Sequence, residues 1–218
     1  ELIMDIQAFG PHFDLDKFIF ARDSARALCH DLSSRVQVGM TEDDLHTLYK
    51  SLGPKYGVEK NWHPPKLRVG VNTINSFKDP SLPVTVQEED IFFLDLGPVI
   101  EGHEADYGEP FFIGENFEHM RIVEKSQELW NIVASYWRTH KVSGHALYDF
   151  AVIEAEKMGY KLNLNEKGHR VSDFPHALIH KGKLMECEEV PVPYAWILEI
   201  HLIHPDLKIG AFFEDILV

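Results

Sequence analysis

Residues 91–96 read Ile-Phe-Phe-Leu-Asp-Leu, an apolar run that contains a single charged side chain, Asp95. Three further acids lie in or beside runs of the same kind, and these are Asp106, Glu199 and Glu214. Such runs predict buried strands, in which an unpaired carboxylate is strongly unfavourable. For any one acid alone, a distant Arg or backbone N–H groups would be sufficient compensation. Almost no Lys or Arg lies within these runs, so the four acids together favour a shared metal centre.

Composition limits the classes of protein that this chain represents. It has 218 residues, 44% of them hydrophobic, and a formal net charge of −14. This acidity argues against nucleic acid or an anionic membrane as a partner. The two cysteines, Cys29 and Cys187, are too few for a disulfide framework or a thiolate zinc site, which predicts a reducing, cytoplasmic setting. We expect one domain over residues 1–218.

A weak internal repeat suggests how the acids are arranged. Thr41 and Ser143 are each placed to N-cap a helix, and a longer amphipathic helix precedes each of them, predicted over residues 14–36 and 117–138. The residues expected to face the core are Phe18, Ala21, Ala25, Leu28 and Leu32 in the first long helix, and Met120, Val123, Trp130, Val133 and Trp137 in the second. Each helix pair is followed by a strand pair with two of the acids. This order predicts an α+β fold in which helices back a curved antiparallel sheet, although coincidence is the alternative to a duplication.

Turn residues predict two hairpins that carry the acids. Asp95 and Asp106 flank a segment with Gly97 and Gly102, so a hairpin would place the two carboxylates opposite each other. The loop residues 101–104 are expected to be solvated. Glu199 and Glu214 flank a second turn over residues 204–210, which repeats the arrangement with longer side chains. If the repeat is a duplication, both strand pairs meet in the middle of one sheet.

The order of these residues resembles the pita-bread metallopeptidase family, which includes methionine aminopeptidase, aminopeptidase P and prolidase. The matching pattern runs over essentially the whole chain: two Asp separated by ten residues, Gly168-His169, His176 seven residues on, a strand with Glu, and a C-terminal Glu-Asp pair. Residues 70–73, Gly-Val-Asn-Thr, resemble the prolidase-like side of the family. The resemblance implies the pita-bread fold, a curved antiparallel sheet with pseudo-twofold symmetry.

The resemblance also implies a set of site residues. The implied metal ligands are Asp95, Asp106, His169, Glu199 and Glu214, which would bind two divalent ions such as Mn, Co, Zn or Fe. A bridging water is then the implied nucleophile, Glu199 moves its proton, and His176 contacts the substrate carbonyl. The implied activity is that of an exopeptidase of the aminopeptidase or Xaa-Pro dipeptidase type. A small peptide is the implied substrate, and a homodimer stays open.

Three residues near the expected substrate depart from the family pattern. Arg170 follows His169, Ala177 follows His176, and Phe77 stands where the family has a histidine. We interpret His63 as a replacement for that histidine, with a purely structural role as the alternative. Trp62, Phe77 and Tyr194 are candidates for a hydrophobic subsite. These departures leave three other readings open: a non-catalytic module that binds peptide or protein, a specificity like that of methionine aminopeptidase, and a metal-free hydrolase similar to creatinase.

Overall fold

Four α-helices are present in the computed structural model, which describes residues 5–178 and 182–218. They are α1 (Leu15–Ser33), α2 (Glu42–Leu52), α3 (Phe117–His140) and α4 (Gly144–Lys157). Short 3₁₀ turns cover Gly53–Tyr56, Gly70–Ile74, His176–Leu178 and Leu184–Glu186. Thr41 N-caps α2 in a capping box with Asp44, and the Ser143 hydroxyl accepts from the Ala146 N–H, so both predicted N-caps are confirmed.

The strands form one large and one small antiparallel sheet. They are β1 (Lys60–Asn61), β2 (Lys66–Val69), β3 (Asp90–Leu96), β4 (Pro98–Ile100), β5 (His103–Glu104), β6 (Tyr107–Ile113), β7 (Lys161–Leu162), β8 (His169–Arg170), β9 (Trp196–Ile203) and β10 (Gly210–Ile216). The large sheet has the order β2-β3-β6-β10-β9, and both β7 and β8 pair with β9. The two acid-bearing strand pairs therefore lie side by side in the middle of the sheet, as a duplication predicts.

The helices cover the sheet with the predicted apolar faces. All five expected residues of α1 are buried, and α1 packs against β4, β5 and β6. In α3, four of the five expected residues are buried, whereas Met120 is 41% exposed. The prediction for Met120 is wrong because Met120 lies in the exposed first turn of α3, before the buried face begins at Ile122. None of the helices in the described ranges combines the length and apolar character that crossing a bilayer requires.

The first predicted hairpin differs from the structure. β3 and β6 do pair, but Asp95 lies opposite Gly108 and not opposite Asp106. The connection between them forms β4 and β5, which join β1 in the small sheet, so the main ladder resumes only at Tyr107. The expectation of a fully solvated loop is also wrong, since His103 and Glu104 are 3% and 1% exposed.

Candidate metal centre

Three carboxylates form a row across the central strands. Asp95 on β3 lies opposite Gly108 on β6, which lies opposite Glu214 on β10, which in turn lies opposite Glu199 on β9. Residues directly opposite in antiparallel strands project from the same face, so these acids converge. Gly108 makes the convergence possible, because a Cβ there would lie 2.9 Å from Glu214 Oε1 and 2.7 Å from the Phe212 ring.

Asp106 is the residue directly before β6. Its carboxylate lies next to this row and between two imidazoles. Its Oδ1 is 3.1 Å from His63 Nε2, and its Oδ2 is 2.8 Å from His169 Nε2. Burial favours the neutral acid, but the charges and hydrogen bonds of the two histidines outweigh it and hold the pKa of Asp106 well below its usual range. Burial likewise opposes charge on His63, yet Asp95 and Asp106 raise the pKa of His63 to about 9.

Two of the other three acids, Asp95 and Glu214, have less compensation than Asp106. Burial raises the pKa of Asp95 to about 7, with the charge of Asp106 acting in the same direction and that of His63 opposing it. Burial, together with the charges of Asp106 and Asp95, raises the pKa of Glu214 well above its usual range. Asp95 Oδ1 and Glu214 Oε1 are buried without a hydrogen-bond partner among the described residues, although Asp95 Oδ1 lies within ion-pair distance of His63 Nε2, at 3.5 Å. Orphaned carboxylate oxygens of this kind are uncommon in proteins and fit a site for cations.

The donor atoms are close enough to bind metal ions. One ligand atom from each of Asp106, His169 and Glu214 lies within 4.8 Å of the others, and the same holds for His63, Asp95 and Asp106. Asp106 belongs to both groups. Mixed carboxylate and imidazole donors suit Mn, Fe, Co or Zn. The residues present therefore fit the divalent ions that the family resemblance implies.

Glu199 faces the same cavity but is held differently. Its Oε2 accepts a hydrogen bond of 2.5 Å from the Gly168 N–H, and its backbone N–H and C=O both contact the Tyr148 hydroxyl. Gly168 has a φ of +68°, a conformation that favours glycine, and a Cβ there would lie 2.5 Å from the Ile197 carbonyl oxygen. The Gly168 N–H thus holds the Glu199 carboxylate in place. The next residue, His169, points its ring at Asp106.

His176 is oriented by an acid that the sequence did not indicate. Glu104 Oε2 lies 2.6 Å from His176 Nδ1, and Glu104 Oε1 accepts from the His176 N–H at 2.9 Å. Both side chains are largely buried, and the Trp62 ring packs edge-on against His176 with a centroid distance of 5.3 Å. Glu104 lies two residues before Asp106, and this spacing in an extended segment is the signal that could have revealed it.

The departures from the family pattern have different consequences. Arg170, which follows the ligand His169, was expected near the substrate, and this expectation is wrong: its guanidinium donates to the carbonyls of Ile6 and Ala8 at 2.5 and 2.8 Å. Adjacent strand residues point to opposite faces, so Arg170 points away from His169. Ala177 is exposed in the short 3₁₀ turn that begins at His176.

An open cavity of about 620 Å³ surrounds the acids, a size that suits a small molecule or short peptide. Its lining includes all the residues that the sequence analysis assigned to the site, namely His63, Asp95, Asp106, His169, His176, Glu199 and Glu214. Trp62 and Phe77 also line it. Tyr194 packs elsewhere, in a cluster with Phe18 and Val171.

Comparisons with known proteins place this geometry in a structural context. No protein-family model and no curated protein matches the sequence. Among solved structures, an X-Pro aminopeptidase from Thermotoga maritima aligns with a TM-score of 0.77 at 17% identity, over 97% of this chain and 59% of the other. The prolidase from Pyrococcus furiosus gives 0.78 at 17% identity, over 99% and 63%. An Escherichia coli aminopeptidase P variant gives 0.75 at 12% identity, over 99% and 55%.

This chain therefore spans about three fifths of the length of these proteins. Their sequences differ greatly from it, while the order of helices and strands superposes over almost all of its residues. The structural neighbours of this chain are prolidases, X-Pro aminopeptidases and aminopeptidase P, and the chain has their pita-bread fold.

Proposed function

We propose that this chain is a metal-dependent exopeptidase that removes the N-terminal residue of a small peptide or splits an Xaa-Pro dipeptide. The observation that carries the proposal is the pair of orphaned buried oxygens, Asp95 Oδ1 and Glu214 Oε1, within a carboxylate row that borders an open cavity. The names of its structural neighbours, X-Pro aminopeptidase and prolidase, support the Xaa-Pro side of the proposal.

The proposed cofactor is a pair of divalent ions held by Asp95, Asp106, His169, Glu199 and Glu214. When bound, such ions lower the pKa of a coordinated water and polarise a carbonyl group. Mn, Co, Zn and Fe are all compatible with these donors.

The side chains of this chain would supply the remaining chemistry. Glu199 is the proposed general base, because its carboxylate lines the cavity and is fixed by Gly168. His176 is the proposed donor to the substrate carbonyl oxygen. Since its Nδ1 is engaged by Glu104, a second proton on Nε2 would face the negative charge that develops on that oxygen, and the Glu104 carboxylate would balance the imidazolium. Trp62 and Phe77 would cover an apolar side chain or a proline ring.

The proposal also includes the domain organisation, binding partners, oligomeric state and location that the sequence predicts. Residues 1–218 would form one domain, with a small peptide as the binding partner and neither nucleic acid nor a membrane surface. A homodimer and a cytoplasmic location are also proposed, the latter supported by two buried cysteines that are both free.

A panel of Xaa-Pro dipeptides, Xaa-Pro tripeptides and Met-Ala peptides, assayed with added Mn²⁺ or Co²⁺, tests the proposal. We expect cleavage of Xaa-Pro bonds that stops on addition of a chelator. Asp106→Ala and Glu214→Ala should abolish it, while Glu115→Ala, at an exposed acid, should not. Cleavage of Met substrates alone would favour methionine-aminopeptidase-like specificity. Metal binding without turnover would favour a binding module, and activity that resists the chelator would favour a metal-free hydrolase.

A further inference from the structure

His63 lies deeper in the acid cluster than a residue that only contacts substrate needs to be. It follows β1, and its Nε2 is 3.1 Å from Asp106 Oδ1 and 3.5 Å from Asp95 Oδ1. The side chain is only 10% exposed. Asp95 from β3, Asp106 from the residue before β6 and one imidazole from a neighbouring segment therefore converge on one point.

These separations match those between neighbouring ligands of one ion. Donor atoms at about 2.1 Å from a metal, with angles between about 90° and 110°, lie about 3.0–3.4 Å apart. The 3.1 Å contact of His63 with Asp106 falls within this range, its 3.5 Å contact with Asp95 lies just above it, and the 2.8 Å contact between His169 and Asp106 lies just below it. These pairwise distances are thus compatible with donors that share one ion, as well as with direct hydrogen bonds.

The other ring nitrogen of His63 fixes which atom is available as a donor to a metal. Its Nδ1 lies 2.9 Å from the Pro64 carbonyl oxygen, which can only accept, so Nδ1 carries a proton. In the neutral ring the lone pair is then on Nε2, which faces the acids. His169 has the same arrangement, with Nδ1 2.9 Å from the Arg170 carbonyl oxygen. A backbone carbonyl behind the ring is a recurrent feature of metal-binding histidines.

The space around the ring is built to hold it in this place. A Cβ on Gly97 would lie 2.1 Å from His63 Cδ2, so only glycine at position 97 leaves room for the imidazole. The neighbouring Trp62 ring packs edge-on against the His63 ring, at a centroid distance of 4.4 Å. Gly97 follows Asp95 by two residues and thus shares its side of the chain.

We propose that His63 is an additional metal ligand, which binds one divalent ion together with Asp95 and Asp106 while His169 serves the other ion. This inference rests on the proposed metal centre and adds a ligand to it. Each metal position would then have one imidazole and a share of Asp106. Nitrogen donors favour Zn²⁺ and Co²⁺ over harder ions, so both positions should prefer these to Mg²⁺.

Metal titration of the full chain, stripped with a chelator and followed by calorimetry and by the visible absorption of bound Co²⁺, tests this role. The variants are His63→Ala, Gly97→Ala, which displaces the ring but keeps the imidazole, and His145→Ala, a control at an exposed histidine of α4. The titration of His63→Ala is repeated with added imidazole, which can reach the vacated space through the adjoining cavity.

We expect two bound ions in the wild type. In His63→Ala and Gly97→Ala one of the two should bind at least about 10-fold more weakly, with an altered Co²⁺ spectrum. Imidazole should restore His63→Ala, and His145→Ala should behave as the wild type. Unchanged affinity and spectrum in His63→Ala would overturn the inference, and so would a loss that imidazole does not restore and Gly97→Ala does not reproduce.

The inference and the proposed function fail in distinguishable ways. If His63→Ala loses one ion as expected but the wild type cleaves no peptide, the ligand role stands and the peptidase proposal falls. If the wild type cleaves peptides and His63→Ala binds both ions normally, only the ligand role falls. If the stripped wild type takes up no divalent ion, both are contradicted.

Discussion

Glu104 binds His176 at two points, through Nδ1 at 2.6 Å and through the backbone N–H at 2.9 Å. Although 72 residues apart in sequence, they form a fixed pair beside the cavity. A carboxylate behind an imidazole fixes the tautomer of the ring and stabilises its protonated form. In the proposed function, this contact would hold His176 in the orientation needed to donate a hydrogen bond to the substrate carbonyl.

Glu104→Gln keeps the size of the side chain and removes its charge. We expect kcat/KM for peptide hydrolysis to fall by about 10²-fold, because the imidazolium loses its counter-charge in the transition state. The number of bound metal ions should not change, since Glu104 lies outside the ligand groups. The control is Glu101→Gln at an exposed acid of the same segment. Unchanged kcat/KM in Glu104→Gln would exclude this role for the pair.

Gly108→Ala tests whether metal binding requires a residue without a side chain between Asp95 and Glu214. The added methyl group would lie within 2.9 Å of Glu214 Oε1, so we expect metal affinity to fall and stability to decrease by about 1–3 kcal/mol from overpacking. Gly53→Ala is a matched control, because the nearest contact of its Cβ is an ordinary 3.4 Å to Val58. Calorimetric titration with Co²⁺ measures the difference, and wild-type affinity in Gly108→Ala would contradict the convergence of the acids at this point.

The metal-free protein should lose stability as the pH rises from 5 to 9. The pKa of Asp95 is about 7 in the folded chain against an ordinary 3.8, so its contribution is present below pH 4 and lost as the pH rises to 7. The raised pKa of Glu214 acts with the same sign. The pKa of His63 is about 9 against 6.5, so its contribution is lost between these values. Two lowered pKa values act with the opposite sign, that of Asp106 only below pH 4 and that of buried His201, about 4 against 6.5, only below pH 6.5.

Thermal unfolding of chelator-treated protein across this pH range checks the prediction. One pKa unit corresponds to about 1.4 kcal/mol, so we expect the midpoint to fall by several degrees. Bound Co²⁺ should reduce this fall in the unfolding midpoint, because the cations then neutralise the buried acids in place of protons. A midpoint of the metal-free protein that rises steadily from pH 5 to 9 would contradict the assigned charge states.

Arg170→Ala should affect stability and not the metal centre. Arg170 is 1% exposed, and its guanidinium anchors residues 6–8 through two carbonyls, so its loss should cost about 2–4 kcal/mol of unfolding free energy. Denaturant unfolding and Co²⁺ titration of the same preparation separate the two effects. Arg35→Ala, at a largely exposed arginine, is the control. Weaker Co²⁺ binding with normal stability would place Arg170 back beside the ligand.

The sequence predicted the parts of this site that local pattern determines. Asp95, Glu199 and Glu214 could be found because each is a lone acid in an apolar strand, and the turn at residues 204–210 correctly places Glu199 opposite Glu214. The register of Asp95 could not be predicted, since it depends on β4 pairing with Lys60–Asn61, far away in sequence. The contact between Glu104 and His176 depends in the same way on distant segments, and the direction of Arg170 depends on the N-terminal residues that it anchors.

Anomalous X-ray scattering from crystals of the full chain grown with Mn²⁺ or Co²⁺ tests the central claim most directly. We expect two peaks about 3.5–4 Å apart between the β3–β6 and β9–β10 strand pairs, both next to Asp106. Glu214→Gln, grown in the same way, should lose at least one of them. The absence of any peak among these acids at saturating metal, or peaks only elsewhere on the chain, would contradict the metal centre and the peptidase function proposed from it.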